Sequence, residues 1–168
     1  GNHDVMFIPN GGVGGVQNCN ATTGVRTTCN INFPAKNFEF RVKNFEGTVL
    51  TQATGAQITR KFSKGQSFPG QQYGFGLAGD ATGKYQASLV DGSYDLLVQS
   101  NSPITDGDSR RFSFEVESGT VSALTDLDTE ITVDTETAKS GLMLIRPNFK
   151  AVVKANGTPV SGVYIYAY

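Results

Sequence analysis

From Phe38 onward, apolar and polar side chains alternate one for one. Phe38, Phe40 and Val42 interleave with Glu39, Arg41 and Lys43, the pattern of a strand with one buried face. Ala56-Gln57-Ile58-Thr59-Arg60-Lys61-Phe62 alternates in the same way. In the next segment Tyr73, Phe75 and Leu77 are separated by Gly74 and Gly76, which predicts a strand whose other face admits close approach. Tyr85, Ala87 and Leu89 run into Asp91-Gly92, a hairpin dipeptide, and then into Tyr94, Leu96 and Val98. Phe112, Phe114 and Val116 follow, then a turn at Glu117-Ser118-Gly119-Thr120 and a strand through Val121 and Ala123. Ile131 with Val133, Leu142 with Leu144, and Phe149 with Ala151 and Val153 continue the series, and Val163–Tyr168 closes it. Apolar residues never hold helical spacing across a long window. The expectation is an all-β chain, an antiparallel β-sandwich.

The pattern also repeats. Asn37-Phe38-Glu39-Phe40-Arg41-Val42-Lys43-Asn44-Phe45-Glu46-Gly47-Thr48 returns as Asn148-Phe149-Lys150-Ala151-Val152-Val153-Lys154-Ala155-Asn156-Gly157-Thr158, one residue shorter before the Gly-Thr. A period of this size is that of a domain, far above solenoid or propeller units. Three regions follow: a glycine-rich, irregular lead-in at residues 1–36, a sandwich module at 37–145, and the start of a second repeat or a donor segment at 146–168.

Composition narrows the class. Charged residues make up 17% of the chain, against about 25% in typical soluble domains, so Thr, Ser, Asn and Gln carry the polarity. The net charge of −1 supplies no attraction to nucleic acid or anionic membranes. No apolar run is long enough for a membrane-spanning helix, so neither a nucleic-acid partner nor membrane insertion is expected. Asn2-His3-Asp4 does not open a leader peptide, so if the protein is exported this is expected to be its mature form or an excised piece. Cys19 and Cys29 fit neither a four-ligand zinc site nor a CxxC redox pair. A disulfide closing a small loop is the expectation, worth roughly 2–3 kcal/mol and pointing to an oxidising compartment; two buried thiols are the alternative. Pro9–Val16 reads as a linker, because no Gly-Lys-Ser/Thr follows it to form a phosphate loop.

The stretch Gly83-Lys84-Tyr85-Gln86-Ala87-Ser88-Leu89-Val90-Asp91-Gly92-Ser93-Tyr94-Asp95-Leu96-Leu97-Val98 resembles the hairpin of carboxypeptidase-regulatory-like domains, which are transthyretin-like sandwiches. These are related to the B repeats of collagen-binding surface proteins. Phe40-Arg41-Val42 through Gly55-Ala56 is similar to their opening strand pair, and Val152–Ile165 is a second such match. The resemblance covers roughly residues 37–123 and implies a stalk, spacer or adhesive module, in some relatives a carbohydrate-binding one. Some relatives carry a Lys–Asn isopeptide bond; Lys43 lies on the expected first strand, with no Asn at the end of a last strand to match it. The insertion between Ile58 and Tyr73, containing Phe68-Pro69-Gly70, departs from the family pattern.

Candidate chemistry is sparse. His3 is the only histidine and sits near the first residue, which leaves a Ser-His-Asp or Cys-His triad without a placed base. No carboxylate pair is marked out, so no enzymatic activity is expected. Asp106 and Asp108 flank Gly107 in a loop and are candidate calcium ligands, with solvated turns as the alternative and no other cofactor expected. Asp126-Leu127-Asp128-Thr129-Glu130, alternating with Ile131 and Val133, reads as a charged outer strand face. Tyr164, Tyr166 and Tyr168 share one strand face and are candidates for a ligand or subunit contact. The function expected is that of an extracellular or cell-surface structural module, its partners being neighbouring copies or modules. A carbohydrate-binding module reading polysaccharide through Tyr73, Phe75 or the terminal tyrosines is the alternative.

Overall fold

The computed structural model describes residues 1–7, 15–26, 28, 30, 35–51, 54–61, 73–146 and 153–160. In chain order the strands are β1 (Asn2–Phe7), β2 (Gly15–Asn20), β3 (Phe38–Lys43), β4 (Thr54–Lys61), β5 (Tyr73–Leu77), β6 (Lys84–Ala87) and β7 (Gly92–Ser100). A single helical turn, α1 (Pro103–Asp106), precedes β8 (Arg110–Glu117), β9 (Thr120–Val121), β10 (Leu124–Asp126) and β11 (Thr132–Val133). The short helix α2 (Thr135–Ser140), β12 (Leu142–Met143), β13 (Lys154–Ala155) and β14 (Thr158–Pro159) complete the order.

Two sheets pack face to face as a β-sandwich. The larger runs β11-β10-β8-β7-β4-β5, with β9 on β8; the smaller runs β12-β3-β6. Every pairing is antiparallel except β12 with β3. Alternation places the core as expected. Phe38, Phe40 and Val42 face inward from the small sheet, and Leu96, Phe112, Phe114 and Val116 meet them from the large one. Phe38 lies 4.8 Å from Phe114, ring to ring, and Phe40 stacks on Tyr85 at 4.9 Å. Tyr94 is buried with its hydroxyl donating to the Val90 carbonyl at 2.7 Å, and burial pushes its phenol up to about 12.

Four local expectations differ from the structure. Asp91-Gly92 is not a hairpin turn: β6 pairs with β3, whereas β7 pairs with β4 and β8. The cause is Asn37, whose amide donates to the Leu89 carbonyl at 2.8 Å and accepts from the Leu89 N–H at 2.9 Å. Leu89 is thereby held to the small sheet, and the chain crosses to the large one. The lead-in is not wholly irregular, since β1 and β2 form an antiparallel hairpin that pairs with neither main sheet. A helix, α2, stands between Val133 and Leu142. Asp134 caps it, accepting from the Thr137 N–H at 2.7 Å, and it ends at Gly141. The acidic stretch after β10 is inverted: Asp126 is fully buried, while Leu127 and Ile131 are 46% and 59% exposed.

The connection from β5 to β6 changes sheets and depends on Asp80. Its carboxylate accepts from the Thr82 hydroxyl at 2.6 Å, the Lys84 N–H at 3.0 Å and the Thr82 N–H at 2.8 Å. Those bonds hold the carboxyl at about 2, below its ordinary 3.8. A depressed carboxylate contributes stability above its unfolded pKa and loses it as pH falls through the folded one. Asp80→Asn is therefore expected to lower the urea midpoint above pH 3.8, with the difference from the parent vanishing as pH falls to about 2. A difference that is constant across that window would contradict the assignment.

Candidate assembly surface

The repeated segment begins a hairpin in each of its copies. In the first, Lys43 bridges to Val49 and the Leu50 N–H donates to the Val42 carbonyl at 2.9 Å. Asn44 closes the loop with its side chain, accepting from the N–H groups of Thr48 at 2.8 Å and Glu46 at 3.1 Å. In the second copy, β13 and β14 pair Lys154 with Pro159 and Ala155 with Thr158. Val160 N–H donates to the Val153 carbonyl, again at 2.9 Å. Asn156 and Gly157 take φ of 51° and 81°, a two-residue turn suited to right-twisted strands. The missing residue is thus absorbed in the loop, and the bond that closes the hairpin is kept.

Among the described residues, only the first hairpin has a core beneath it. Val42 is completely buried and Leu50 packs on the core, whereas Val160 is 42% exposed and β13 and β14 are exposed throughout. Residues 147–152 and 161–168, including Tyr164, Tyr166 and Tyr168, lie outside the described residues.

The other expected site residues are placed as follows. Cys19 is buried in β2 opposite His3, and the described residues contain no free cysteine; Cys29 lies outside them. Asp106 accepts from the hydroxyls of Ser100 at 2.7 Å and Thr105 at 3.2 Å, while Asp108 donates its N–H to the Ile145 carbonyl at 2.9 Å. Among the described residues no three acidic, histidine or cysteine side chains are grouped to hold a metal ion. Two carboxylates alone fall short of the roughly six to eight oxygens that calcium takes. Lys43 donates to the Ser140 hydroxyl at 3.3 Å, with no asparagine in that contact. Phe75 is half-buried and packs against the core, which removes it as an exposed stacking platform. The side chain of Tyr73 is outside the described set.

The most consequential residues missed from sequence are Arg110 and Asp126. The Arg110 guanidinium pairs with the Asp126 carboxylate, donates to the Met143 carbonyl at 2.5 Å and lies 5.1 Å from the Phe112 ring. Asp126 also accepts from the Asp128 and Thr129 N–H groups at 2.8 and 3.0 Å, which shapes the turn after β10. Burial pushes the Arg110 guanidinium below its ordinary value, and Asp128 partly offsets this. The pair ties the large sheet to β12 of the small one. A signal for it exists: Arg110 is in phase with Phe112 and Phe114, and Asp126 with Leu124, so opposite charges fall on inward positions.

On the outer face of the large sheet a shallow depression of about 280 Å³ lies between Gln57, Thr59, Asp95, Leu97 and Arg111. Lys61 pairs with Asp95 at 2.6 Å beside it. Comparison with protein-family models, with curated proteins and with solved structures gave no match.

Removing one member of a buried ion pair leaves the other uncompensated. Asp126→Ala is expected to cost about 3–5 kcal/mol in urea unfolding, far more than loss of the exposed pair Lys139–Glu136. Equal costs would contradict the bracing role.

Proposed function

We propose that the chain is a non-catalytic structural module of a secreted, surface-displayed or filament-forming protein. In it, β-sandwich units follow one another end to end and complete each other by strand pairing. The observation that carries this reading is the hairpin made twice, once over a core and once with none among the described residues. In the first copy the apolar face is covered by distant chain, with Phe114 of the facing sheet against Phe38, while Tyr85 of the neighbouring strand stacks beside Phe40. Asn37 holds Leu89 and Gly119, 52 and 82 residues further on. The second copy repeats the residues that need such partners, as Asn148, Phe149 and Val153. It therefore requires a complement of the same kind, from a following unit or from the sheet edge of a neighbouring copy.

Low charge and the proposed Cys19–Cys29 bridge support an extracellular setting. The sandwich is also the architecture that the resemblance to carboxypeptidase-regulatory-like modules implies, and kinship with that family is part of the proposal. A head-to-tail contact between copies would extend into fibres, since it does not close on itself.

Light-scattering mass across a concentration series tests pairing between copies, for the whole chain and for a chain ending at Ile145. The whole chain is expected to gain mass with concentration while the shorter one stays monomeric. Equal, concentration-independent masses would overturn complementation between copies.

A further inference from the structure

We propose that Phe45, Arg146 and the Gly107–Asp108 strap form an anchor that holds the exit of the first sandwich, Leu144–Arg146, at the point where the repeat begins in sequence. This rests on the repeat as read above.

Three consecutive residues at the exit of the first sandwich are each tied down. Leu144 N–H donates to the Lys43 carbonyl at 2.9 Å, and the Ile145 carbonyl accepts from the Asp108 N–H at 2.9 Å. Arg146 holds its guanidinium 4.9 Å from the centre of the Phe45 ring. The strap is close-fitting at Gly107, where φ is +116°. A Cβ there would lie 2.6 Å from the Ile145 carbonyl oxygen and 2.9 Å from the Leu144 Cβ. Phe45 is itself fixed. Its N–H donates to the Asp106 carbonyl at 3.2 Å, and the Asn44 side chain stiffens the loop that presents it.

The repeat shows what Phe45 is not needed for. The second copy closes its hairpin on Asn156 and Gly157 with a loop one residue shorter and with no aromatic in it. Loop closure alone therefore does not account for the longer first loop. Its extra length instead presents the aromatic that seats Arg146. Beyond Arg146, a single residue, Pro147, precedes Asn148, the first residue of the repeat. Proline has a fixed φ, and one such residue gives none of the reach of a Gly/Ser linker.

Backbone ¹⁵N relaxation of the full chain tests this, for the parent, Phe45→Ala, Arg146→Gln and the conservative Phe45→Tyr. In the parent and in Phe45→Tyr, the Ile145 and Arg146 amides are expected to match β3, with order parameters near about 0.85. In Phe45→Ala and Arg146→Gln the Arg146 amide is expected to fall below about 0.6 while β3 and β8 stay unchanged. An Arg146 amide already mobile in the parent, or unmoved in both variants, overturns the anchor. If a cross-strand NOE between Ala155 and Thr158 persists in that case, the repeat stands and only the anchor is lost. If that NOE is also absent from the parent, the repeat reading fails with it.

Discussion

The contact between Phe38 and Phe114 is where two sheets become one core. Phe38 comes from the segment that repeats, and Phe114 from a strand laid down much later in the chain. A strand with one apolar face is unstable until that face is covered, because an isolated hairpin is marginal in water. Lateral contacts within each sheet fix the strands that meet there. Tyr85 stacks on Phe40, Tyr94 stacks on Phe114 at 5.5 Å, and Asn37 fastens the end of β3 to Leu89 and Gly119.

The same constraint gives the C-terminal hairpin its meaning. Backbone bonding reproduces the closure of Val42–Leu50 in Val153–Val160, but Val42 is completely buried whereas Val153 is half-buried and Val160 is exposed. The closed sandwich is braced independently, by Arg110 and Asp126 across the corner where the large sheet meets β12.

Much of this was legible from alternation. The inward faces of β3, β7 and β8 follow directly from Phe38-Phe40-Val42, Tyr94-Leu96-Val98 and Phe112-Phe114-Val116, and the turn at Ser118-Gly119 forms with both residues at positive φ. Pairing partners were not legible, because they are decided by contacts remote in sequence. Asp91-Gly92 has good hairpin chemistry, yet Asn37 claims the Leu89 backbone from 52 residues away and sends the chain across. The acidic stretch after β10 misled for a similar reason: Asp126 is affordable inside only because Arg110 faces it. The helix α2 had its signals in Asp134 and Gly141, but six residues are too few for apolar periodicity to register. The contact between Phe45 and Arg146 could not be read from sequence, because about a hundred residues separate the two.

Amide hydrogen exchange on the dilute, monomeric chain tests the central claim most directly, by comparing two bonds of equal length in equivalent places. Leu50 N–H, bonded to Val42 under a complete core, is predicted to exchange only with unfolding of the whole sandwich, and Val160 N–H, bonded to Val153, to exchange far faster through local opening. Equal protection of the two amides in the monomer would contradict the account, because the second hairpin would then already possess the cover it is held to lack.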